Sequence, residues 1–122
     1  MISAIAAVLV VLGSLLMLLA SVGVIRMPDV YVRLQASTKA ASLGAGSLLL
    51  ALALHFGDLA VTVRALLAIV FIFMTVPVSA HMIARAAYLV GVPLWEKTRW
   101  DELRGRYDTQ THQPHSPDEE DA

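Results

Sequence analysis

Three apolar runs without a formal charge constrain this chain more than anything else in it. Ile2 to Ile25 continue for 24 positions, Ala40 to Gly57 for 18 and Ala65 to Ala84 for 20. Each is close to the roughly 20 residues that cross the hydrocarbon of a bilayer as a helix. In lipid every backbone N–H and C=O needs a partner within the protein, and runs of this length without polar alternation meet that demand as helices. The chain therefore reads as an all-α integral membrane protein with three transmembrane helices, spans about 2–25, 36–57 and 61–90, in a transmembrane domain over 1–95. An apolar content of 57% with 16% charge fits that class better than an ordinary soluble domain. A cleaved leader is the rival reading of the first run. No Lys or Arg precedes that run, and it exceeds the roughly 7 to 15 apolar residues of a signal peptide, so retention is expected.

The formal net charge of -1 hides a segregation. Residues 96–122 hold eight acidic and four basic side chains, which leaves the membrane part basic. Arg26, Arg33 and Lys39 lie between spans one and two, Arg64 alone follows span two, and Arg85, Lys97, Arg99, Arg104 and Arg106 flank the end of span three. Positive-inside bias then predicts N-out, C-in. Gly57 suits a left-handed helix end and Asp58 a helix cap, so spans two and three should form a tight antiparallel hairpin. Pro28 and Asp29 suit a helix start, with proline at the first helical position and a carboxylate at the positive dipole end. Gly91 and Pro93 end the third span, and Trp95 and Trp100 fall at headgroup level. The polar tail beyond 108 has the composition of a disordered segment. His112 and His115 there are read as solvated rather than as a metal pair.

With apolar burial unable to drive helices together in lipid, contacts depend on small residues and hydrogen bonds. Span two supplies Ser37, Ala41 and Ala45 at intervals of four, with Ala40 and Gly44, and Ser42 and Gly46. Span one offers Gly13, Ser14, Ala20, Ser21 and Gly23. These surfaces pack the three helices on one another or dock on a partner. A three-helix bundle has few interior positions and does not enclose a polar route by itself, so the chain reads as a subunit.

The most informative polar cluster is Thr75, Pro77, Ser79, His81 and Arg85 in span three. Pro77 removes a backbone donor and clashes with the carbonyl of Phe73, so a kink or an opened turn is expected, either passive or presenting a free carbonyl. His81 and Arg85 are four apart and share a face. Histidine titrates near neutral pH whereas arginine does not, so any part in proton movement falls to His81, with Arg85 as its anchor or pair. The plainer alternative has His81 bonded to a partner helix and Arg85 reaching the interface. In the first connection Arg26, Asp29, Tyr31, Arg33, Gln35 and Lys39 form a mixed-charge patch in which Asp29 pairs with Arg33 or meets Arg85 across the bundle, or whose basic members only orient the chain. His55 and Asp58 read as helix-terminus residues. No carboxylate lies mid-span, so the usual carrier of sodium or protons is missing and autonomous antiport is disfavoured. There is no cysteine, no phosphate-cradling glycine loop and no nucleophile with a matching base. The chain is not read as an enzyme, and no cofactor or metal is called for.

Two segments carry a family resemblance. Arg26-Met27-Pro28-Asp29-Val30-Tyr31-Val32-Arg33-Leu34-Gln35-Ala36-Ser37-Thr38-Lys39, followed by Leu43-Gly44, and Pro77-Val78-Ser79-Ala80-His81-Met82-Ile83-Ala84-Arg85-Ala86-Ala87-Tyr88 resemble the MnhG, PhaG or MrpG component of multisubunit Mrp-type antiporters. The resemblance covers about residues 2–100. Gln35 departs from the histidine common at that position, so no proton-relay role is carried over to it. The resemblance implies a bacterial inner-membrane assembly of about six or seven different subunits that exchanges cytoplasmic Na+, or K+, for external H+, an activity of the whole complex. It also implies that Pro77, His81 and Arg85 support the coupling region or the cation path at a subunit interface. The alternative expectation is a purely structural or assembly subunit with no polar group in the ion path. A stand-alone exporter of the small four-helix multidrug type would need a membrane-embedded glutamate, which is absent.

Overall fold

A computed structural model describes residues 1–101, 103–108 and 110–114. Three helices, α1 (Ile2–Arg26), α2 (Val30–Phe56) and α3 (Leu59–Val90), are each long and apolar enough to cross a membrane. Among the described residues the only β-pairing is an isolated bridge between Tyr107 and Pro114.

Local chemistry explains most of the boundaries. Asp29 is the N-cap of α2, extended at φ -127 and ψ 164, with its side chain accepting from the Val32 N–H at 2.8 Å. Pro28 therefore lies outside the helix instead of opening it, and α2 starts at Val30, beside the Pro28–Asp29 turn where a helix start was expected. At the other turn Gly57 is left-handed at φ 61, its N–H donates to Ala53 O at 3.1 Å, and Asp58 accepts from Val61 N–H at 3.1 Å. The expected tight hairpin is thus closed by two residues. α3 continues through Pro77 to Val90 and stops at Gly91, φ 85, where Val92 N–H reaches back to Ala87 O at 3.0 Å.

Nothing in the sequence announces one feature of α2. Ser37–Ala41 form a π-helical turn. Hydroxyls serve the widened backbone around it: Thr38 donates to Leu34 O at 2.7 Å and Ser42 to Thr38 O. Such turns usually mark a place where a helix must re-aim its side chains.

The helices form a row and not the bundle expected above. α1 packs on α2, α3 packs on α2, and α1 and α3 do not meet. Glycines on opposite sides of α2 explain this, because residues two apart in a helix point about 200° away from each other. A Cβ on Gly44 would lie 2.9 Å from Gly13 O, so the α1–α2 crossing brings backbone against backbone. A Cβ on Gly46 would lie 3.1 Å from Phe73 Cε2, which places α3 on the other flank. Ala51 and Ala53, each seven residues further on, are buried along these two stripes. On α1 the buried residues Ala6, Gly13 and Ala20 also recur every seven, the spacing of left-handed membrane-helix packing. Gly23 adds a contact, since a Cβ there would lie 2.7 Å from Ala36 Cβ. Ala40, Ala41 and Ala45 are only half-buried. The buried apolar residues are Ala6, Ala20, Ala51, Ala53 and Ala65, and no large side chain is fully buried among the described residues.

Candidate functional site

Polar side chains gather at the basic end of the row, where the α1–α2 turn, the last turns of α3 and the segment after Gly91 come together. Asp29 anchors this end. It is 8% exposed, and besides capping α2 it accepts from Trp95 N–H at 3.3 Å. Tyr31 donates to Val92 O at 3.4 Å, a second tie between the start of α2 and the chain leaving α3. Trp95 in turn lies under Lys97, whose Nζ is 5.5 Å from the ring centroid.

The two ion pairs considered for Asp29 are not the ones formed. Arg33 Nε donates to Met27 O at 2.8 Å, closing the turn it follows. Arg85 Nη2 donates to His112 O at 2.8 Å. The capping carboxylate accepts one N–H on each oxygen, and the two arginines bond carbonyls. Arg26 and Lys39 are exposed, Lys39 within the π-helical turn.

His81 faces outward and makes no hydrogen bond among the described residues. It lines a cleft of about 490 Å³ with Tyr31, Arg85, Tyr88, Asp101 and Tyr107. Tyr88 donates to Asp101 Oδ1 at 2.8 Å, and the Tyr88 and Tyr107 rings stand 5.6 Å apart. Pro77 is exposed one turn from His81 on the same side of α3. Thr75 and Ser79 are exposed as well, but Ser79 precedes His81 by two residues and so points about 160° away from it. The five-residue cluster is thus two stripes: Pro77, His81 and Arg85 on one, Thr75 and Ser79 on the other.

At the hairpin end His55 packs edge-on against Phe56 at 5.3 Å and Asp58 caps α3, both in helix-terminus roles. The described residues hold no group of three or more metal-ligating side chains, and His115 lies outside them. In the tail, Asp108 N–H donates to Gln113 O at 3.1 Å and His112 N–H to Asp108 O at 2.9 Å. Disorder is expected from the sequence beyond 108; of that stretch residues 110–114 are described, with these bonds, while 109 and 115–122 lie outside the described residues. The residue that sequence reasoning misses is Asp101. There it is one more tail charge, 20 positions from His81, and nothing local points to their shared cleft.

An imidazole, a guanidinium, a carboxylate and phenols thus line one cleft at the end of α3.

Comparison with known proteins gives one consistent result. The sequence pattern of the PhaG/MnhG/YufB family, described as Na+/H+ antiporter subunit, matches residues 9–88. The corresponding Na(+)/H(+) antiporter G component of Alkalihalophilus pseudofirmus is 48% identical over 105 residues, covering 83% of this chain and 87% of the relative. The G1 component of the Na(+)/H(+) antiporter of Staphylococcus aureus is 41% identical over 100 residues, 80% of this chain and 85% of the relative. A chain in the structure of the Mrp complex from Dietzia superposes with a TM-score of 0.78 at 28% identity, over 83% of this chain and 91% of that one. A chain of the membrane-bound sulfane sulfur reductase, an archaeal respiratory membrane complex, gives 0.73 at 38% identity, over 82% and 93%. With most of its length matched at these identities, the chain belongs to the PhaG/MnhG/YufB family of Na+/H+ antiporter subunits.

Proposed function

We propose that this chain is a non-autonomous subunit of a multisubunit monovalent cation/proton antiporter in a bacterial cell membrane, and that the assembly exports cytoplasmic Na+ or K+ in exchange for external H+. One observation carries the reading: the three helices stand in a row with no interior. A transport path needs polar groups sheltered from lipid, and this chain leaves Thr75, Ser79, His81 and Arg85 of α3 exposed. The imidazole of His81, the guanidinium of Arg85 and the hydroxyls of Thr75 and Ser79 therefore look outward to other subunits, since exposing such groups to hydrocarbon is costly. In this reading the N-terminus lies outside and the basic end in the cytoplasm. Pro77, His81 and Arg85 form the stripe nearest the coupling route, and Arg26, Asp29, Tyr31, Arg33 and Lys39 hold the cytoplasmic end in register.

A purely structural role is the second reading, favoured by the backbone contact at Gly13 and Gly44, whose loss would separate the helices without touching an ion. Substituting Pro77 and His81 separately in the whole complex distinguishes the two. Normal assembly on a blue-native gel with lost exchange in everted vesicles supports the coupling role; lost assembly supports the structural one. Sodium/proton exchange by this chain reconstituted alone would refute both.

A further inference from the structure

The described part of the tail contains a closely bonded turn that the function proposed above leaves unused. Both carboxylate oxygens of Asp108 are acceptors in it: Gln110 N–H donates to Oδ1 at 2.7 Å and the Thr111 hydroxyl to Oδ2 at 2.9 Å. The backbone closes around that side chain, with His112 N–H on Asp108 O, Asp108 N–H on Gln113 O and a bridge between Tyr107 and Pro114. Within the turn His112 is left-handed at φ 55, an uncommon conformation for a residue other than glycine. The turn meets α3 at two points. The Tyr107 ring stands 5.6 Å from that of Tyr88, and His112 O accepts from Arg85 Nη2 at 2.8 Å.

Arg85 needs such an acceptor. The Cα–Cβ bonds of a helix tilt toward its N-terminus, so the stem of Arg85 sets out along α3 toward mid-membrane, where a guanidinium without an acceptor is costly. Asp101, in the same cleft, does not serve. Its Oδ1 takes the Tyr88 hydroxyl at 2.8 Å, it lines a second cleft with Arg104, and among the described residues no ion pair joins it to Arg85. The His112 carbonyl also differs from a carboxylate in kind: it fixes the guanidinium and leaves the positive charge whole. We infer that Asp108 is a positioning residue for the antiport reaction, acting through the His112 carbonyl that its turn presents to Arg85. The turn is a latch on the last part of α3. Closed, it holds the Arg85 charge in one place at the edge of the proposed coupling stripe; open, it lets a long side chain sample many. The inference rests on the coupling role proposed above for Arg85.

The chain has no cysteine, so spin labels at Ala86→Cys and Gln113→Cys report the distance from α3 to the turn in the full complex, with accessible cysteines removed from the other subunits. The parent should give one narrow distance distribution. Asp108→Ala and Arg85→Ala should broaden it, and Asp108→Asn, whose amide oxygen still accepts from Gln110, should keep it narrow. Exchange in everted vesicles, with assembly followed on blue-native gels, should fall about fivefold in Asp108→Ala, the equivalent of one ordinary hydrogen bond, and recover in Asp108→Asn. A distribution in Asp108→Ala as narrow as in the parent overturns the inference, and so does a broad one with undiminished exchange. Should Asp108→Ala fail to assemble, Thr111→Val, which removes one of the two bonds to the carboxylate, decides on the same readings. Undiminished exchange by Arg85→Ala would instead overturn the coupling role on which the inference stands, so the two failures are told apart.

Discussion

α1 and α3 flank the same central helix, yet they are attached and clothed differently. α1 is seated by backbone on backbone at Gly13 and Gly44, where nothing can move aside. α3 is seated by an aromatic ring over Gly46 and by the two-residue turn at Gly57 and Asp58. Outward, α1 shows aliphatic side chains such as Ile5, Val8, Leu12, Leu15, Leu19 and Val22, with the hydroxyls of Ser3, Ser14 and Ser21 but no imidazole. α3 shows aliphatics too, but also Thr75, Ser79, His81 and Arg85. In the coupling role proposed above, the tightly seated α1 edge anchors the subunit and the α3 edge carries His81 and Arg85. A subunit of three helices can thus divide its labour between its two edges.

Substitutions that target one edge at a time test this division. The largest effect is expected from Gly44→Leu, because a Cβ there meets the Gly13 carbonyl at 2.9 Å. The overpacking should cost about 3 kcal/mol or more and remove the chain from the complex on a blue-native gel. Next come His81→Ala and Arg85→Ala. Each should lower cation-driven proton exchange about tenfold, equivalent to ~1.4 kcal/mol in barrier, with the complex intact, while Leu15→Ala and Leu19→Ala on the α1 edge leave the rate unchanged. Equal losses at both edges would remove the distinction. Asp29→Ala takes away the α2 cap and the link to Trp95, and should lower stability by about 1–2 kcal/mol, read as a fall in the melting temperature of the purified complex. The smallest effects belong to the α3 seam and its hydroxyl stripe. Gly46→Ala needs Phe73 to yield a few tenths of an ångström, and Thr75→Val loses a membrane hydroxyl. Each should cost under about 1 kcal/mol by thermal denaturation.

What sequence reasoning reaches and what it misses divide by distance along the chain. Gly57 and Asp58 announce a hairpin because a left-handed glycine and a capping carboxylate act within four residues. The three spans are legible for the same reason, each being a local run. The row is not. Gly44 and Gly46 look like one broad patch of small residues until the partner on each side is known, and that is a tertiary fact. The π-helical turn at Ser37–Ala41 is hidden because Ser, Thr and Ala are compatible with an ordinary helix. At the site, spacing finds Pro77, His81 and Arg85 as a stripe, but proximity in sequence groups Thr75 and Ser79 with them although helical geometry separates them. Asp29 is recognisable as a helix-start acid, while its bond to Trp95 spans 66 residues and leaves no local trace. Asp101 escapes notice on the same ground.

A flat row has a consequence for how such a chain can drift over generations. Nearly every side chain on it borders something other than the chain itself, so its aliphatic positions answer to lipids and neighbours and are free to change when those do. The glycines at 13 and 44 answer to each other and to Leu48 and Met17 beside them, all within this chain. Sequence divergence in this panel of helices should therefore concentrate on its bulky residues and spare its smallest ones, the reverse of a water-soluble domain whose large core residues are the last to vary.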